Sequence, residues 1–198
     1  MFINISSDKV YIGTGDKNIF LDRNGIENVL GSSLIKLYKK NKIKDILVLN
    51  GPGGFTNLRV STLCLNLLNT LEKDSIKIYD ISKINLYNHL YDKNLIPRYG
   101  IIYIGQRKNI RLYDFQKQKY TTQTIEDTDL DSDYFLDQVY EKGYYGKLND
   151  KLKIKINYKK IGLEITYKSK IFQIKIKDLN LKPLKQIQPN YMIDPKMN

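Results

Sequence analysis

The sequence has no tryptophan, one cysteine and one histidine in 198 residues. Cys64 alone excludes an intrachain disulfide and any thiol cluster for zinc. His89 has no second histidine to form a metal-binding pair, and no nucleophile–His–carboxylate set accompanies it. No metal site is expected. Long apolar runs are missing too, and none approaches the roughly 20 residues that a membrane span needs. The opening, MFINISSDKVYIG, lacks a basic segment followed by an apolar one. No signal peptide is therefore expected, and a cytoplasmic location is the default. Arg-Gly repeats, RNP-like aromatic motifs and zinc knuckles are also lacking, which removes the specific signatures of RNA-binding modules.

What the sequence does have is lysine. Lys and Arg number 33 against 21 Asp and Glu, a net charge of +12. Such a surplus speeds encounter with polyanions. Yet many lysines alternate with apolar residues, as in KLKIKINYKK (151–160) and IFQIKIKDL (171–179), where they solvate strand faces. The joint richness in Lys, Ile, Asn and Tyr reads as compositional bias rather than as a dedicated nucleic-acid groove.

Three short strands are predicted over 2–6, 9–13 and 18–22, separated by Ser-Ser-Asp and Thr-Gly-Asp turn signals. Helical spacing of Ile26, Val29, Leu30, Ser33, Leu34, Leu37 and Tyr38 predicts a helix over 26–40. DILVLN (45–50) reads as a buried strand parallel to the first. The loop GPGGFT (51–56) leads into a helix over about 57–73, for which Thr56 is the expected cap. A strand over 77–80 and a helix over 82–90, capped by Ser82, follow. Pro97 and Gly100 in NLIPRYG (94–100) mark a boundary between lobes 1–98 and 99–198. Strands are expected at 99–105, 109–115, 153–158, 163–167 and 172–177, a short helix at about 132–140, and an extended tail from Leu181 with Pro183, Pro189 and Pro195.

The second helix is apolar on two sides. At 100° per residue, Val60, Cys64, Leu67 and Leu71 share one face, and Leu58, Ser61, Leu65 and Leu68 share another about 120° away. One covers the sheet; the other needs a partner, which is the first helix or a second protein. Arg59 sits near the helix start, where the macrodipole disfavours a cation. A specific partner for its guanidinium is expected: a carboxylate of the other helix, a backbone carbonyl of the glycine loop, or a phosphate or acidic group of a bound subunit.

Asn50-Gly51-Pro52-Gly53-Gly54-Phe55-Thr56-Asn57-Leu58-Arg59 closely resembles the Gly-Pro-Gly-Ser-Phe-Thr-Gly-Leu-Arg signature of the TsaB (YeaZ) family. Gly54 stands where Ser is usual and Asn57 where Gly is usual. Phe2–Ser7, Ile104–Tyr113 and Pro189–Met192 carry weaker echoes of the family's opening strand, second-lobe strand pair and closing Pro-x-Tyr. The resemblance implies an α/β actin/hexokinase-like (ASKHA, ribonuclease H-like) two-lobed fold with a reduced, strand-rich second lobe. It implies a non-catalytic scaffold in tRNA threonylcarbamoyladenosine modification. The partners would be a TsaD-like catalytic subunit and a TsaE-like ATPase, with tRNA met through the complex; a similar pairing gives homodimers. No cofactor of its own is implied. On this resemblance Ile26, Val29, Leu30, Ser33, Leu34 and Leu37 of the first helix join Leu58, Ser61, Thr62, Leu65 and Leu68 of the second as the partner interface.

The residues themselves argue against a nucleotide-hydrolysing member of that fold. The first strand offers Asn4, Ser6 and Ser7, with Asp8 nearby, where carboxylates would hold magnesium. The glycine loop reads as a tight strand-to-helix corner rather than as a phosphate cradle. The acidic run Glu126–Asp133 lacks calcium-loop spacing and reads as a solvated loop. Two alternatives remain: an active kinase or ATPase of the same fold, and an independent basic RNA-binding module.

Overall fold

The computed structural model describes residues 1–15, 17–106, 108–128, 133–146, 148, 153–159 and 162–191. Three short strands, β1 (Phe2–Asn4), β2 (Val10–Gly13) and β3 (Asn18–Leu21), form an antiparallel meander. Helix α1 (Ile26–Asn41) follows, then β4 (Asp45–Leu49), α2 (Phe55–Leu71), β5 (Lys77–Ile81) and α3 (Lys83–Asp92). β4 pairs parallel with β1, and β5 parallel with β4, giving the order β3-β2-β1-β4-β5. Between these parallel strands the chain must cross over a sheet face, and α1 and α2 are those crossings. Ile26, Leu30, Leu34 and Leu37, spaced by about one turn, form the buried stripe of α1. Ser82 caps α3, its hydroxyl accepting from the Asn85 amide at 3.0 Å, as its sequence position suggests.

Two further sheets follow. β6 (Tyr99–Ile102), β7 (Asn109–Asp114) and β8 (Lys119–Thr124) form a second meander, and β9 (Tyr134–Leu136) pairs parallel with β6. The order β8-β7-β6-β9 repeats the β3-β2-β1-β4 pattern of the first sheet. β10 (Lys155–Lys159), β11 (Gly162–Tyr167) and β12 (Lys170–Lys175) form an antiparallel third sheet, closed by a short 3₁₀ turn over Ile176–Leu179.

The helix expected over about 132–140 is replaced by β9. Tyr134, Phe135 and Leu136 are all buried beside β6, and a short apolar run with both faces covered is ambiguous between helix and parallel strand. β8 escaped the sequence reading because Lys-Tyr-Thr-Thr-Gln-Thr lacks an apolar alternation; it is a largely exposed sheet edge. α2 starts at Phe55 with Gly54 as its cap and no side-chain cap bond, so Thr56 is already inside the helix.

One apolar cluster runs from Phe2 and Leu47 in the first sheet through Tyr87 and Leu90 of α3 to Phe135, Ile156 and Leu163 of the other sheets. A second lies on the opposite side of the first sheet, where α1 and α2 cover Ile3, Val10, Ile46 and Val48. The segment 181–191 returns to this first sheet. The Leu184 amide donates to the Ile78 carbonyl at 2.8 Å, and Ile187 enters the second cluster. No helix among the described residues is long and apolar enough to cross a membrane.

Candidate functional site

The glycine loop between β4 and α2 is packed by the chain's own backbone. Gly51 has φ +63°, and a Cβ there would fall 1.6 Å from the Asn190 carbonyl oxygen. At Gly53 a Cβ would meet the Ser6 carbonyl at 2.5 Å. Gly105, with φ +85°, leaves no room for a side chain against Gly54. These glycines let three backbone segments converge on one loop, including the segment 181–191, the β1–β2 turn and the end of β6. Pro52 and Gly54 are buried in this junction, and Thr56 is half-buried. Phe55 projects outward, stacked on Tyr191 with ring centroids 5.0 Å apart. The Arg59 guanidinium also lies against Phe55, 5.1 Å from its ring centroid. Its contact is with an aromatic ring rather than with the expected carboxylate or backbone carbonyl. Because α2 begins at Phe55, Arg59 is past the first turn, where the dipole penalty has faded.

The residues of α2 divide in an unexpected way. Asn57, Ser61, Thr62 and Asn69 are buried together with Leu58, Leu65 and Leu68. Leu63, Leu67 and Leu71 are 68%, 56% and 61% exposed. The expected interface is therefore corrected. Leu58, Ser61, Leu65 and Leu68 face inward, as do Ile26, Leu30, Leu34 and Leu37 of α1, and Thr62 bonds back to the Leu58 carbonyl at 2.9 Å. These residues line the contact between α1, α2 and the sheet, so this chain already covers them. Ser33 is half-buried, and only Val29 of the expected set is exposed. The outward face consists of Leu63, Leu67 and Leu71, flanked by half-buried Val60 and Cys64, with exposed Ile35 on α1. Gly31 of α1 faces Cys64, and a Cβ there would sit 3.9 Å from its sulfur, so the helices approach closely at that point.

Asn66 and Asn69 of α2, and Asn50 just after β4, hold the returning segment 184–190. The Asn66 side chain donates to the Ile187 carbonyl and accepts from the Ile187 amide, both at 2.9 Å. Asn69 donates to the Lys185 carbonyl at 2.9 Å and accepts from the Ile76 amide at 3.0 Å. Asn50 donates to the Gln188 carbonyl at 2.8 Å and accepts from the Asn190 amide at 3.1 Å. Its NH₂ also reaches Asp80 Oδ2 at 3.1 Å, whose carboxyl is pushed up to about 6 mainly by burial. Sequence reading missed these three asparagines. Nothing local announces a partner more than a hundred residues away.

The end of β1 and the turn after it are tied by internal hydrogen bonds. Asn4 Oδ1 accepts from the Ser6 amide at 2.9 Å, and Asn4 Nδ2 donates to Ser7 Oγ at 3.1 Å. Ser6 and Ser7 hydroxyls donate to the carbonyls of Leu49 and Gln138 at 2.9 and 2.8 Å. Asp8 takes the amides of Tyr140 and Glu141 at 2.7 and 2.8 Å. Deeper in, Lys83 of α3 is fully buried and paired with Asp137, which also accepts from Tyr87 and from the Tyr103 amide. Burial pushes the Lys83 ammonium down while Asp137 draws it back up. The Ser7–Gln138, Asp8–Tyr140, Asp8–Glu141, Lys83–Asp137 and Tyr87–Asp137 contacts tie residues before 98 to residues after it. Among the described residues, no group of three His, Cys, Asp or Glu side chains is arranged to hold a metal ion. His89 is half-buried on α3. The acidic run lies partly outside the described residues; within it, Asp127 and Thr128 bond back to Thr124.

No protein-family model and no curated protein matches the sequence. Solved structures similar in fold include two from Pseudomonas aeruginosa. One is YeaZ from Pseudomonas aeruginosa, 13% identical over 68% of this chain and 73% of that one, with a TM-score of 0.40. The other, also from Pseudomonas aeruginosa, is an uncharacterized protein with similarity to peptidase YEAZ, 14% identical over 69% and 73%, with a TM-score of 0.40.

Proposed function

We propose that this chain is a non-catalytic scaffold subunit that docks a partner protein on the outward face of α1 and α2. The observation that carries this is the inversion of α2, with Asn57 and Asn69 buried and Leu63, Leu67 and Leu71 outside. Large apolar side chains clustered in water favour association, and burying a leucine stabilises by roughly 1.5–3 kcal/mol. On the neighbouring helix α1, Ile35 is also exposed.

The signature over 50–59 suggests which partner. In this reading it is a TsaD-like catalytic subunit, working with a TsaE-like ATPase in tRNA threonylcarbamoyladenosine modification. tRNA is met through that assembly, and homodimers form on the same face. The two β-meanders, each with a parallel strand added beside its first strand, support an actin/hexokinase-like fold of two lobes, 1–98 and 99–198. Saturation of Asn4, Ser6, Ser7 and Asp8 by internal bonds supports a role without its own cofactor or chemistry.

Co-purification of the full chain with the TsaD-like subunit of the same organism tests the proposal. The wild-type chain should capture that subunit. Leu67→Glu should abolish capture while circular dichroism stays unchanged, because the carboxylate would be desolvated only in the complex. Capture that survives Leu63→Glu and Leu67→Glu together would refute docking on this face.

A further inference from the structure

The segment from Leu184 to Asn190 is held through its backbone. Its amides at 184, 187 and 190 donate to the Ile78 carbonyl, Asn66 Oδ1 and Asn50 Oδ1. Its carbonyls at 185, 187 and 188 accept from Asn69, Asn66 and Asn50. Of its side chains, only Ile187 is buried. A Cβ on Gly51 would displace the Asn190 carbonyl, so the glycine loop is shaped around this segment. β5 is the last strand of the first sheet, and Leu184 bridges its Ile78 in antiparallel sense. The segment is thus a partial added strand on an open sheet edge. Beside it, a groove of about 490 Å³ continues between Ile187–Pro189 and the flank of α2 at Phe55, Arg59 and Leu63.

These are the parts of a strand-addition peptide site. Backbone hydrogen bonds give affinity without reading sequence, and one pocket reads one side chain. A side-chain amide suits this task, since it presents a donor and an acceptor spaced as in a peptide group. Asn66 engages both the amide and the carbonyl of Ile187.

We propose that the edge of β5 and the asparagine-lined flank of α2 form a peptide-binding groove. In the isolated chain it is occupied in cis by residues 184–190. The occupant in trans is an extended peptide carrying one aliphatic side chain in register with Ile187. The groove shares Leu63 with the outward face of α2, but its backbone contacts come from Asn50, Asn66 and Asn69 and do not use Leu67 or Leu71, so peptide binding and partner docking are tested by different variants.

The test uses the full chain with Ile187→Asp, which empties the aliphatic socket. A fluorescein-labelled peptide copying residues 182–191 is titrated into it by anisotropy. Saturable binding is expected, at least tenfold weaker for a peptide with aspartate in place of its isoleucine. Binding should be at least tenfold weaker for the wild-type chain, whose own segment competes. A folded Ile187→Asp chain that binds neither peptide, or binds both equally, overturns the proposal, as does equal binding by the wild-type chain. If that variant fails to fold, hydrogen exchange on the wild-type chain decides. Amides of Leu184, Ile187 and Asn190 exchanging at least tenfold faster than those of Leu47 and Asn50 support a displaceable occupant. Exchange at the core rate or slower makes the segment a fixed strand and overturns it.

Discussion

The two sides of α2 reverse the usual placement of residues. The inner side carries Asn57, Ser61, Thr62 and Asn69 among its leucines, and the outer side carries Leu63, Leu67 and Leu71. On the inner side the asparagine amides serve backbone contacts outside the helix, while the Thr62 hydroxyl bonds back to the Leu58 carbonyl. Asn57 holds the carbonyls of Ser7 and Asp8 at 2.9 and 3.2 Å, and Asn69 holds Lys185 and Ile76. The outer side has no such purpose within the chain. Hydrophobicity alone therefore does not say which face of a helix is the core; what each face can be paired with does.

The sharpest way to break that comparison is to remove one buried polar partner. Asp137→Ala leaves the fully buried Lys83 ammonium without its carboxylate. A loss of about 3–5 kcal/mol is expected in urea unfolding. The exposed pair Lys168–Asp133 provides the contrast, and Asp133→Ala should change stability by about 0–1 kcal/mol. Equal effects would show that burial does not set the cost.

Truncating leucines on the two sides of α2 compares them directly. Leu65→Ala removes a core side chain and should cost about 2–5 kcal/mol. Leu67→Ala should stay within about 0.5 kcal/mol in the isolated chain. If Leu67→Ala destabilised the chain as much as Leu65→Ala, the outward assignment would be wrong.

Asp80 gives a smaller, pH-dependent effect. Its folded carboxyl titrates at about 6, above the unfolded value, because burial outweighs the Asn50 hydrogen bond. A raised carboxyl makes the folded state hold its proton more tightly. Ionisation therefore costs stability progressively as pH rises from about 4 to 6, and fully above that. Asp80→Asn should raise stability at pH 8 by on the order of 1 kcal/mol after solvent screening, and should give no gain at pH 3.5. A gain of the same size at both pH values would sink the titration argument.

The smallest effect is expected at Arg59. Its contact with the exposed ring of Phe55 is worth about 0.5–1 kcal/mol. Lysine retains the cation but loses the flat stacking surface, so Arg59→Lys should cost less than about 0.5 kcal/mol in thermal unfolding. A loss beyond about 1 kcal/mol would point to a contact other than the ring.

Local signals in the sequence settled the elements whose causes are local. Turn residues delimited β1 to β3, the four-residue spacing of Ile26, Leu30 and Leu34 set the inner stripe of α1, and Ser82 marked the start of α3. The residues of the glycine loop were visible as a motif, and so was its corner between strand and helix. Tertiary structure alone decided the rest. It chose the strand at 134–136 over a helix, because β6 offers it a parallel neighbour. It turned Leu58 and Leu65 inward and Leu67 outward, because the sheet and α1 can fill only one of two apolar faces. It gave Asn50, Asn66 and Asn69 their function by bringing back a segment more than a hundred residues distant. Periodicity reports that a face is apolar or polar, whereas its partner is a fact of three-dimensional proximity that no local window contains.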